Sequence, residues 1–171
     1  MVDPKTCGCV CVPGSLIESV TVPCARTPVV SSTTLLAGVP YYLRASGTCT
    51  IGFVRPYAPD ADAEYAFTPS DPTNLGGVTD RCPGSSGIEL GIGIDDPVID
   101  GTKTPKWGPY DPTHVYTIAF TGKGAPITLN YHDCVHRDNV GSMTVDVFCP
   151  GARPSDPSDS DGDSDKEGAS G

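Results

Sequence analysis

The sequence predicts an all-β protein: a single jelly-roll or β-sandwich domain with disulfides and a disordered acidic tail. Short stretches alternating apolar and polar residues recur along the chain, and alternation over about four to eight residues marks a half-buried strand. Turn-forming residues separate them, with 20 Gly and 18 Pro in 171 residues, and runs of helix formers are scarce. Strands at short, regular spacing with turn chemistry between them pack as a sandwich or jelly roll rather than as a helical or α/β fold.

The elements follow in order. Residues 1–15 form a cysteine-rich arm. Its Cys7-Gly-Cys-Val-Cys11 run lacks the C-x₂-C spacing of structural zinc sites, and alternate strand residues face opposite ways, so disulfide anchoring is expected. The domain spans residues 16–150. Residues 16–30 read as a strand pair around Pro23, and residues 36–40 as a turn. Residues 41–51 read as one strand with Leu43, Ala45 and Gly47 on one face, Gly47 marking a bulge or close backbone approach. Residues 53–86 read as a long solvated loop holding Tyr57, Asp60, Asp62, Glu64 and Tyr65. Loops of that length in a compact domain tend to be functional.

Residues 88–94 alternate again, with Ile88, Leu90, Ile92 and Ile94 on one face and Asp95-Asp96-Pro97 ending the strand. Asp100-Gly101 is a turn, and a second loop carries Trp107 beside Tyr110. Residues 115–120 form a strand, and Gly122-Lys123-Gly124 a turn. Residues 127–149 read as strand, polar loop, strand, with Ile127, Leu129 and Tyr131 and then Met143, Val145 and Val147 on the apolar faces. Residues 151–171, dense in Asp156, Asp159, Asp161, Asp163 and Asp165, bury no core and are expected to be disordered.

The formal net charge of −10 argues against nucleic acid as a partner, because phosphate contacts need basic patches. No apolar run is long enough to span a bilayer. Eight cysteines imply disulfides and an oxidising final environment, hence an extracellular or virion-surface location. The first residues lack a basic region followed by an apolar run, so export through a removed leader or release as a virion component by lysis is expected.

The loop between the last two strands carries the chemistry. Asp133, Asp138 and Asn139 are three oxygen donors between rigid strands, the set a hard cation such as Ca²⁺ takes. A rival grouping, His132, Asp133 and His136, suggests zinc or hydrolysis, but neither G-x-S-x-G nor H-E-x-x-H is present. Both histidines are read as loop surface, Asp95-Asp96 as turn formers, and the protein as no enzyme.

Three segments carry a family resemblance: VTVPCARTPVVSSTTLLAGVPYYLRASGTCTIG, GIELGIGIDD, and GAPITLNYHD followed by DNVGSMTVDV. Together they cover residues 20–148 and resemble the PA-IL-like (LecA-type) galactophilic lectins, the last segment most specifically. The resemblance implies a small galactose-binding-domain-like jelly roll holding one Ca²⁺, whose remaining coordination positions are filled by two neighbouring sugar hydroxyls. Asp133 matches the family's calcium carboxylate, Asp138 and Asn139 its paired asparagines, and Ile51 a position that gives a backbone carbonyl. A carbonyl at His136 or Arg137 would complete the set. The loop is shorter than in those lectins. Their sugar-holding His and Gln have no counterpart in residues 53–66, where Asp62, Glu64 and Tyr65 are the substitutes available.

The expected function is calcium-dependent binding of glycans, galactose-containing ones included, in adhesion. The alternative is a virion surface, decoration or tail protein that uses the sandwich without sugar. Homo-oligomerisation or assembly into a virion is compatible with both. The first and last strands of a jelly roll often lie side by side, so Cys24–Cys149 is an expected disulfide. Cys49–Cys134 would clamp the metal loop, and Cys82 would pair with one of the three N-terminal cysteines.

Overall fold

A computed structural model describes residues 11–52, 59–67, 78–81, 89–95, 105–151 and 153–154. Among the described residues every regular element is a strand apart from one 3-10 turn. The strands are β1 (Leu16–Pro23), β2 (Val29–Val30), β3 (Pro40–Ser46), β4 (Cys49–Ile51), β5 (Asp60–Ala61), β6 (Ala66–Phe67), β7 (Gly91–Ile94), β8 (Val115–Thr121), β9 (Thr128–His132) and β10 (Asn139–Phe148). The 3-10 turn, His136–Asp138, lies between β9 and β10. The fold is thus all-β, as expected. It has a larger antiparallel sheet, β6-β5-β4-β10-β3-β8 with β1 also on β10, and a smaller one, β2-β9-β7.

β10 is the hub. Its C-terminal half pairs with β1 and β3, its N-terminal end with β4. Ser46 faces Thr144 and Cys49 faces Gly141, so β3 and β4 share one register along β10. The single strand expected over residues 41–51 therefore runs in one register and breaks at Gly47, whose φ is +94°. There the lateral neighbour changes: β8 leaves after Ser46↔Val115, and β5 enters at Cys49↔Ala61.

Period-two alternation decides which faces are buried. Val20 and Val22, Tyr41, Leu43 and Ala45, and Met143, Val145 and Val147 point inward from the larger sheet. They join one core with Leu90, Ile92, Ile127, Leu129 and Tyr131. Each fully buried aliphatic side chain in this set contributes about 1.5–3 kcal/mol. The opposite face of the larger sheet is polar: Arg44 Nη2 lies 2.9 Å from Asp146 Oδ2, and Ser19 Oγ donates to Asp146 Oδ1 at 2.6 Å.

Several expectations change. Residues 16–30 do not form a strand pair of their own, because β1 pairs with β10 and β2 with β9. The stretch expected as a solvated loop contains β5 and β6 and buries Asp62 and Glu64, which are 0 % and 2 % exposed. This is possible because Gly91 has no side chain: a Cβ there would collide with the Ala63 carbonyl, which accepts the Ile92 N–H at 2.9 Å. The loop thus lies directly on β7. His132 is fully buried on β9 rather than on a loop surface.

The disulfides join Cys11 to Cys149 and Cys24 to Cys49, and Cys134 is disulfide-bonded as well. Neither Cys24–Cys149 nor Cys49–Cys134 forms. The premise that β1 and β10 lie side by side holds, but their antiparallel register sets Leu16 against Phe148 and Pro23 against Ser142. Cys149 therefore meets the segment before β1, where its N–H donates to the Ser15 carbonyl at 2.8 Å. Cys24 lands at the opposite end of β10, donating to the Gly141 carbonyl at 3.1 Å, and Gly141 is the partner of Cys49. The expectations for Cys7, Cys9, Cys82, Tyr57, Ile88 and residues 155–171 lie outside the described residues.

Candidate metal centre

The end of β9, the 3-10 turn and the start of β10 carry Asp133, Asp138 and Asn139 in one short stretch; the Asn139 amide lies near Asp133, and β4 brings Ile51 opposite Asn139. The strand ladder sets the last contact, pairing Asn139 with Ile51. Gly52 follows at φ +84°, a left-handed conformation that favours glycine. A Cβ on it would stand 3.4 Å from Asp138 Oδ2, so the Asp138 carboxylate lies over the backbone at Gly52. The turn is fastened twice. The Asn139 N–H donates to the His136 carbonyl, and His136 Nε2 lies 3.0 Å from the Tyr131 carbonyl, which it reaches as a donor. Of the two candidate carbonyl ligands, His136's is thereby engaged within the turn, which leaves Arg137's as the better candidate.

The polar atoms at this point are buried and poorly satisfied. Asp138 Oδ1 and both amide atoms of Asn139 are shielded from solvent without a hydrogen-bond partner. Asp133 is buried and accepts the Cys134 N–H at 2.6 Å. Burial pushes its carboxyl above the usual range, against the opposing pull of the nearby Asn139 amide and the N–H groups of Cys134 and Val135. The Asn139 amide lowers the Asp133 carboxyl as a hydrogen-bonding neighbour, although it falls outside strict hydrogen-bond geometry. A carboxylate held above its ordinary pKa beside unpartnered oxygen donors is stabilised by a cation. Among the described residues no group of three His, Cys, Asp or Glu side chains is placed to hold a metal ion, and the donors present in this turn are oxygens, which suit hard cations rather than zinc or copper.

Asp62, Glu64 and Tyr65 lie elsewhere, in a second polar centre. Asp62 accepts four hydrogen bonds: from the N–H groups of Glu64 at 2.9 Å and Tyr65 at 2.7 Å, from His114 Nδ1 at 2.9 Å and from the Tyr116 hydroxyl at 2.7 Å. Glu64 Oε2 accepts the N–H groups of Trp107 at 2.7 Å and Gly108 at 3.1 Å, while its Oε1 lies 3.2 Å from Lys106 Nζ. The Tyr65 hydroxyl donates to the Gly108 carbonyl at 2.7 Å. These three residues hold the loop of residues 59–67 to that of residues 105–116. Aromatic rings seal the joint: Phe67 stacks on His114 at 4.4 Å, and Tyr65 meets Tyr110 edge-on at 5.7 Å.

His114, Tyr116, Lys106 and Trp107 were not singled out by the sequence as partners of these carboxylates. They stand 42 to 54 residues away from them in the chain, and no local spacing signals such a contact. Tyr131 lies within the field of both Asp133 and Asp62. Its hydroxyl is fully buried without a hydrogen-bond partner, and it is held well above the ordinary tyrosine range, first by burial and then by the charges of Asp133 and Asp62.

The geometry defines an antiparallel all-β protein with an oxygen-rich turn beside its central strand. Compared with protein-family models, curated proteins and solved structures, the chain matches none.

Proposed function

We propose that this chain is a non-catalytic, calcium-dependent carbohydrate-binding module built as a jelly-roll sandwich and working outside the cell or on a virion surface. The observation that carries the calcium half is the set of buried, unpartnered donors at Asp138 and Asn139 beside the raised carboxyl of Asp133. An unsatisfied buried polar atom costs about 1–3 kcal/mol. A cation bound by Asp133, Asp138, Asn139 and the carbonyls of Ile51 and Arg137 would remove that cost. Bound there, Ca²⁺ supplies a hard Lewis-acidic centre that takes neutral hydroxyl oxygens as further ligands. Two adjacent hydroxyls of a sugar, galactose among the candidates, would complete the shell.

One observation favours a second reading, a calcium-stabilised surface or virion protein that binds no sugar. Asp62 and Glu64, the residues available to replace the lectins' sugar contacts, have turned their oxygens inward. A glycan array run with calcium and with EDTA separates the two. EDTA-sensitive binding is expected, and an array with no EDTA-sensitive signal sinks the lectin reading while leaving calcium in place. Calcium is tested separately by thermal melting, and an unchanged midpoint at millimolar Ca²⁺ removes the metal site.

A further inference from the structure

The oxygen donors of the metal centre come from two chain segments, and each segment is held by its own disulfide. Asp133 is followed directly by disulfide-bonded Cys134, whose N–H donates to the Asp133 carboxylate. Ile51 and Asn139 belong to β4 and β10, and the Cys24–Cys49 disulfide sits at the start of β4. Cys24 donates to the Gly141 carbonyl, and a Cβ on Gly141 would lie 3.4 Å from Cys49 Cβ. That disulfide therefore fixes the strands two residues from Asn139 and Ile51. The third bond, Cys11–Cys149, lies past the other end of β10, whose 10 residues extend about 30 Å.

We propose that the oxidation state of these two site-flanking disulfides sets the calcium affinity of the centre, so that the site binds metal in an oxidising compartment and releases it under reduction. The proposal rests on the calcium reading above. A dithiol reductant supplies the two electrons for each bond. One of its thiolates attacks a disulfide sulfur to form a mixed disulfide, its second thiol closes to a cyclic disulfide, and two protein thiols are released. The ligands on the two segments are then held without a covalent link, by the β4–β10 ladder, the 3-10 turn and the His136–Tyr131 contact. Metal binding must then supply the ordering free energy that the covalent links supplied before.

The test uses the full-length oxidised chain, titrated with CaCl₂ by calorimetry, beside three variants: Cys24→Ser/Cys49→Ser, Cys134→Ser, and Cys11→Ser/Cys149→Ser as the remote control. Near-UV circular dichroism reports whether each is folded. The proposal expects at least ten-fold weaker calcium binding in Cys24→Ser/Cys49→Ser and in Cys134→Ser, and binding within two-fold of wild type in the control. Dithiol-treated wild type should match the site-flanking variants. Equal weakening in all three variants assigns the effect to global stability and overturns the proposal, as does wild-type affinity in the site-flanking pair. If the oxidised wild type itself takes up no calcium, the metal reading falls, and the proposal with it. If only one of the two site-flanking bonds is needed for folding, the other variant decides alone.

Discussion

Replacing Asn139 with Ala should make the metal-free protein no less stable and the calcium-loaded protein less stable than wild type. In the metal-free state both amide atoms of Asn139 are buried without partners. Each such atom costs about 1–3 kcal/mol, and truncation removes both. Against this stand the contacts of a short side chain and the favourable hydrogen-bonding pull of the amide on Asp133. The net expectation in EDTA runs from no change to a gain of about 2 kcal/mol. For a domain of this size that is a rise of up to roughly 8 °C in melting temperature. With calcium at a hundred times its dissociation constant the wild type gains about 2.7 kcal/mol, whereas the variant, short of one ligand, gains only a fraction of that. The two melting temperatures should therefore cross between EDTA and millimolar calcium, followed by near-UV circular dichroism. A variant that melts several degrees lower in EDTA and keeps the full calcium shift would refute the reasoning, because Asn139 would then be an ordinary packing residue.

Further predictions follow from the same contacts. The raised Asp133 pKa means that its contribution to metal-free stability is full below the ordinary carboxyl value of 3.8 and is lost as pH rises through the elevated value. Calcium selects the ionised form, so the calcium-induced shift in melting temperature should grow with pH across that window; a flat shift refutes the Asp133 assignment. Asp62→Ala leaves the His114, Glu64 and Tyr65 donors without this acceptor, and the Tyr116 hydroxyl with only the Asp111 carbonyl at 3.5 Å. It should cost about 3 kcal/mol or more in urea unfolding, with and without calcium alike, and a loss below about 1 kcal/mol contradicts a structural role. Trp107→Phe removes the indole N–H bond to the Ile92 carbonyl, 3.1 Å long, and should cost about 1 kcal/mol in the same assay. Opening Cys11–Cys149, with a sequence separation of 138, should destabilise the chain by about 5 kcal/mol, and opening Cys24–Cys49, with a separation of 25, by about 3.5 kcal/mol. Equal losses in the two double variants would point to native-state rather than loop-closure effects.

The strand–turn–strand that carries Asp133, Asp138 and Asn139 was legible in the sequence because these residues lie within seven positions of one another, on a stretch whose alternation is unambiguous. Ile51 entered only through a family resemblance, and the structure places it opposite Asn139. The disulfide expectations failed for a readable reason. Side-by-side strands alone do not pair their cysteines: the antiparallel register of β1 on β10 sends Cys24 to the far end of β10 from Cys149. Asp62 and Glu64 were read as exposed polar residues of a long loop. Their burial depends on Gly91, which admits the loop onto β7, and on donors from residues 105–116, and neither is visible at short range in sequence.

The sequence by itself determined the local order: which residues alternate, where the chain turns, which faces are apolar, and which short turn collects oxygen donors. Those properties follow from period-two geometry and turn chemistry, which act over a few residues. Tertiary structure alone decided what meets across the sheets. It made β10 the strand on which β1, β3 and β4 converge, paired the cysteines by register, and spent two carboxylates on the interior. It also left the Asp138 and Asn139 donors buried and unpartnered. Register and satisfaction of buried polar groups are set by partners tens of residues away, and a single chain read in order does not name them.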